Sequence, residues 1–179
     1  MRLAALLLLT MGVAAGIWGS LSLEAGEKSA VAAESRAVVE TYLQAGVLTQ
    51  YAASGEIAER LEIESAAREV NSRESALRGI RYRASGKNET LWDIQASRGT
   101  FLEDADELLL TDGVEINETS RAAMMTTPSA HLFLANKRAT GNQKVLLTGQ
   151  GSKTVGDGFE LDLASNTATL KGNVRTDYE

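Results

Sequence analysis

Apolar and polar residues alternate one by one along much of this chain, in short runs separated by turn-forming residues. In the run 91–96, Trp92, Ile94 and Ala96 share one parity, Asp93 and Gln95 take the other, and Arg98-Gly99 then breaks the pattern. Successive side chains of a strand point to opposite faces, so such a run can bury only one side. The plan recurs in Ile80, Tyr82 and Ala84, in Leu108, Leu110, Val114 and Ile116, in Ala130, Leu132 and Leu134, and in Phe159, Leu161 and Leu163. It closes the chain in Val174, Thr176 and Tyr178, set against Arg175, Asp177 and Glu179. Turn signals at Ser85-Gly86, Asp112-Gly113, Gly141-Asn142, Asp157-Gly158 and Lys171-Gly172-Asn173 punctuate the runs. Many short one-sided strands at this spacing predict an antiparallel sandwich or roll.

The first residues follow another grammar. From Leu3 to Leu23 no residue is charged, and a helix of that length spans roughly 31 Å, the thickness of a hydrocarbon core. The apolar run is longer than the 7–15 or so residues of a cleavable leader, so residues 1–23 are expected to form a retained transmembrane anchor. Arg2 precedes the span while Glu24 and Glu27 follow it, which places the rest of the chain on the outer side of the membrane. Residues 24–50 are rich in Ala and Glu and predict a tether with a partial helix that ends near Gly46. The domain proper is expected over 51–179. Its first segment, GEIAERLEIES (55–65), is ambiguous: its composition favours helix, while Ile57, Leu61 and Ile63 share a strand face spoiled only by Glu59.

Little in the chain could do chemistry. There is no cysteine and a single histidine, which leaves no thiolate nucleophile and no cysteine-ligated metal. His131 stands alone, with no acidic residue or second histidine at ligand spacing, and is expected to face outward from a strand. Glu103 to Glu107 lacks the glycine and terminal glutamate of a calcium loop. No general base is placed to activate a serine. Neither an enzyme, a metal site nor a cofactor is expected. With 18 basic against 24 acidic residues, a net charge of −6, nucleic acid is not an expected partner. Arg78, Arg81, Arg83 and Lys87 form one basic cluster, read as a solvated hairpin face rather than a phosphate site.

Taken in order, these stretches resemble the LptC family. The likeness rests on an anchor without a clear cleavage site, on W-x-I-x-A (Trp92, Ile94, Ala96), and on L-x-L-x-x-G-V-x-I (Leu108, Leu110, Gly113, Val114, Ile116). It continues through a strand opened by Thr126 and Thr127, then G-D-G-F-x-L, and L-x-G-x-V-R-T-x-Y at the end. It covers the anchor and roughly residue 50 onward. The resemblance implies a twisted, open β-jellyroll of two antiparallel sheets behind one N-terminal transmembrane helix, with GEIAERLEIES as a strand. It implies an inner-membrane protein with a periplasmic domain, beside the ABC transporter LptB–LptF–LptG. Such a domain receives lipopolysaccharide and passes it to the soluble bridge protein LptA.

If the sheets splay, their apolar faces make a slot for acyl chains, whose burial is worth about 0.8 kcal/mol per methylene. On that reading Trp92, Ile94, Leu110, Ile116, Phe159, Leu161 and Tyr178 point between the sheets and some touch lipid. The last strand, with Val174, Arg175, Thr176, Asp177 and Tyr178, offers an edge to a partner strand. Gly158 is expected to need a left-handed backbone or a close approach to a neighbour. A sealed core in a tethered adaptor that only docks proteins fits the same pattern, as does a cleaved soluble carrier like LptA.

Overall fold

The computed structural model describes residues 39–86, 90–120 and 122–178, so the expected anchor and residues 24–38 of the expected tether lie outside the described residues. Every described element of regular structure is a strand: β1 (Val39–Tyr51), β2 (Ile57–Glu69), β3 (Glu74–Ser85), β4 (Leu91–Leu102), β5 (Glu107–Glu118), β6 (Ala123–Phe133), β7 (Arg138–Gly141), β8 (Val145–Gly149), β9 (Ser152–Gly156), β10 (Gly158–Asp162), β11 (Thr167–Lys171) and β12 (Arg175–Tyr178). All pairings are antiparallel. Strands β1 to β6 follow one another across the sheet, which then forks at β6 into β7–β10–β11 and β8–β9–β12. The two sheets expected from the sequence are therefore two halves of one.

What divides the halves is a transverse line of irregularities that every chain path crosses. Ala45 in β1 and Gly79 in β3 have left-handed backbones, as do Asp112 and Gly113 in β5, and Asn173 and Gly172 between β11 and β12. Register slips by a residue between Gln95 and Arg98 against β5, and between Thr111 and Val114 against β6. The last paths break there outright: β9 and β10 are separated by Asp157 alone, and β7 and β8 by Asn142 to Lys144. Along this crease the period of two fails. Buried residues stand three apart at Leu77 and Ile80, at Ala96 and Gly99 and at Thr127 and Ala130, and four apart at Leu110 and Val114. Both halves thus keep the apolar face on one side while the sheet folds over, and their inward residues form one core. A kinked position inside a strand is the usual means of bending a sheet sharply.

The tether reading is corrected from residue 39 onward, nearly half of its length. Residues 39–51 form β1, paired with β2 from Val39↔Glu69 to Tyr51↔Ile57. Helix propensity gives way to a ladder of backbone hydrogen bonds, as tertiary context commonly dictates. The ambiguous segment is likewise a strand, in β2, paired on both sides.

Gly79 has φ +59 and no space for a side chain, because a Cβ there would collide with the Glu64 carboxylate arm. Gly79→Ala is expected to lower stability by about 1 to 2 kcal/mol, read as a shift in the urea midpoint at unchanged slope. Gly55→Ala, at a turn with φ +88 but nothing within 4 Å, isolates the backbone part of that cost.

Candidate functional site

The interior between the two halves is the feature with the geometry of a site. Its middle is filled by Ile80, Ile94, Leu110, Leu132, Phe159 and Leu161, none more than 2 % exposed. Six of the seven residues expected to point inward do so: Trp92, Ile94, Leu110, Ile116, Phe159 and Leu161 are all buried. Tyr178 is the exception, at 84 % exposed. Its parity is inward, since it pairs with Ser152 and its neighbour Thr176 with Thr154, and paired residues share a face. But β12 is the last strand of its branch, so nothing covers it.

Two cavities flank the packed middle. One, of about 320 Å³, lies toward β1 and is lined by Leu48, Leu61, Ile63, Leu77, Phe101 and Leu134 among others. The other, of about 240 Å³, lies toward the fork, where Trp92, Ile116, Met125 and Leu147 meet Asn166 and Ala168. Each is at or below the low end of the range for one small ligand, about 300–1,000 Å³. Leu61 and Ile63 share a strand face in the sequence, but the helix-favouring composition of their segment hides them as lining residues; Leu77 and Phe101 are hidden because the inward positions of β3 and β4 change parity at the crease.

Opposite the crease, where the turns of both halves gather, polar side chains bind one half to the other. Trp92 donates its indole N–H to Asn166 Oδ1 (3.0 Å), and Asn166 Nδ2 donates to Thr90 Oγ1 (2.9 Å). Toward β1, Lys137 Nζ lies 3.1 Å from Glu59 Oε1, while the Tyr82 hydroxyl donates to Glu59 Oε2 (2.6 Å). Burial, with the carboxylate of Glu59 beside it, pushes the Tyr82 phenol well above its ordinary range, so it remains a donor. Glu59, which interrupts the apolar parity of β2, is thus an anchoring carboxylate. Asn166, in the turn between β10 and β11 with φ +58, reads in sequence only as turn punctuation.

The outer faces carry paired charge. In the basic cluster, Arg81 binds Asp93 and Arg83 binds Glu62, while Arg78 has no ion-pair partner among the described residues and Lys87 lies outside them. Nothing there converges on a ligand. His131, expected to stand alone, meets Glu107 at 2.6 Å and stacks on Phe133, a cross-strand contact on the outer face.

Among the described residues the forked sheet has three strands paired on one side only, β1, β11 and β12. β1 is joined only to β2, and it exposes Tyr42, Val47, Leu48 and Tyr51. At the other end β12 is joined only to β9, and all four of its residues are exposed; Val174, just before it, is 51 % exposed. Gly158 is buried and its backbone is not left-handed, so of the two reasons expected for it the left-handed backbone falls. Close approach remains, since a Cβ there would sit 2.7 Å from the Gly141 carbonyl oxygen.

Compared with known families, residues 4–179 match the model described as lipopolysaccharide-assembly, LptC-related. No curated protein matches the chain.

Proposed function

From the premise that this chain belongs to the LptC-related family of lipopolysaccharide-assembly proteins, we propose that it is the membrane-anchored periplasmic segment of a lipopolysaccharide conduit. Residues 1–23 hold it in the inner membrane beside the LptB–LptF–LptG transporter. Its folded sheet takes the acyl chains between its halves and hands the lipid to LptA. The observation that carries this reading is the interior: one apolar core runs between the halves, widens into a cavity on either side of its middle, and is bounded by edge strands paired on one side only, β1 at one end and β11 and β12 at the other. Greasy walls hold acyl chains by burial alone, and free edges extend by strand addition. Transport of this kind needs no catalytic group.

Photoreactive residues test it directly. At Ile94 or Phe159, which face the core, they are expected to capture lipopolysaccharide in cells; at Asp93 or Glu160, on the opposite parity, they are expected to capture none. A second reading, a tethered adaptor that only docks proteins, draws on the tight packing of the middle. Capture at neither parity would favour the adaptor.

A further inference from the structure

The packed middle and the polar contacts opposite the crease together imply a moving part. Between the two cavities, Ile80, Ile94, Leu110, Leu132, Phe159 and Leu161 leave no continuous path, and neither cavity alone has room for a lipid with several acyl chains. Threading from end to end is therefore blocked in this state. Along its mouth the slot is held by two clasps between the halves, Asn166 with Trp92 and Thr90, and Lys137 with Glu59. At the first, the chains approach so closely that a Cβ on Gly86 would collide with the Leu163 carbonyl oxygen and with Asn166. Hydrogen bonds of this kind contribute only about 0.5–1.5 kcal/mol each, somewhat more where a charge takes part, so breaking them is within reach of a modest binding energy. The opposite margin is continuous backbone through β1 to β6 and cannot part.

We propose that the Asn166 and Lys137 clasps form a gate along the mouth of the slot, closed in the structure described here, and that acyl chains enter sideways when it parts. Saccharide and phosphate then stay outside in water while the chains replace side-chain contacts within. The inference rests on the lipid-carrying reading above and adds its route of entry.

The chain has no cysteine, so thiols placed at Thr90→Cys and Asn166→Cys are unique. A short, reducible bis-thiol reagent joins them in the full membrane-anchored protein, with a photoreactive residue at Ile94 reporting lipopolysaccharide. Joined protein is expected to capture at least tenfold less lipid than the same protein after reduction. The open variant Asn166→Ala with Lys137→Met is expected to capture lipid several-fold faster than the unaltered gate. Comparing one variant before and after reduction removes any effect of the substitutions on folding. Equal capture in joined and reduced protein overturns the gate and leaves the lipid-carrying interior standing. Absence of capture at Ile94 in both states, and without the cysteines, overturns the interior reading and the gate with it.

Discussion

Removing residues 172–179 is expected to abolish capture of the soluble bridge protein while leaving association with the membrane transporter intact. β12 contributes no residue to the buried core and binds the rest of the sheet only through β9, so the truncated domain keeps its interior and its β1 edge. What it loses is an exposed strand with one free side and no proline, and such an edge pairs with another strand unless something blunts it. Its charges, Arg175 and Asp177, lie on the outward parity and leave the backbone row open. Truncation also uncovers β9, so single prolines sharpen the test. Neighbouring residues in a strand turn their N–H groups to opposite sides. Of Thr176→Pro and Asp177→Pro, one removes a donor from the ladder with β9 and the other from the free side. Only the second is expected to lose the bridge protein without loosening the strand. Retention of the bridge with loss of the transporter would reverse the polarity proposed here.

Gly158→Arg, at the buried first residue of β10, is expected to be strongly destabilising. The residue follows Asp157 at the crease, and any Cβ meets the Gly141 carbonyl oxygen across the β7–β10 pair. Forcing a side chain into a packed site costs about 1–3 kcal/mol and occasionally more; a long cation with nowhere to go belongs at the upper end. For a domain of this size about 3 kcal/mol lowers Tm by roughly 6–12 °C. Gly158→Ala is expected to show part of that loss with no change of charge. Disturbance beside Phe159 and the β9–β12 pair is further expected to weaken both lipid capture and bridge binding. An unchanged melting curve for Gly158→Arg would show that the chain there gives way freely.

Much of this architecture could be read from alternation. Trp92, Ile94, Leu110, Ile116, Phe159 and Leu161 were placed inward by parity alone, because a half-buried strand leaves no other arrangement for them. Tyr178 was placed on the right face and the wrong depth: parity says which way a side chain points and says nothing about whether a neighbouring strand covers it. The break at Arg98-Gly99 was visible in sequence, but its meaning was not. A left-handed Ala45 has no compositional mark, and Asp112-Gly113, which reads as a turn between strands, instead slips the register in the middle of β5; only the alignment of such defects across neighbouring strands turns them into a fold line. β1 was hidden for a different reason. It continues without a break from an Ala- and Glu-rich stretch that suits a helix, while its own Val, Thr and Tyr residues suit the strand that β2 pairs. Glu59 read as a flaw in an apolar row, since its partners Tyr82 and Lys137 are 23 and 78 positions away.

The crease also sets a mechanical ratio. It crosses β1 to β6 near their midpoints, leaving some six residues on each side, an arm of about 20 Å at roughly 3.3 Å per residue. A rotation of about 10° at the fold line then displaces the far end of such an arm by roughly 3.5 Å, more than the length of a hydrogen bond. A small local change in backbone torsion is thus magnified at the mouth, while the walls themselves stay rigid. If the domain carries acyl chains as proposed, room for more or fewer of them follows from leverage, with no strand having to unpair.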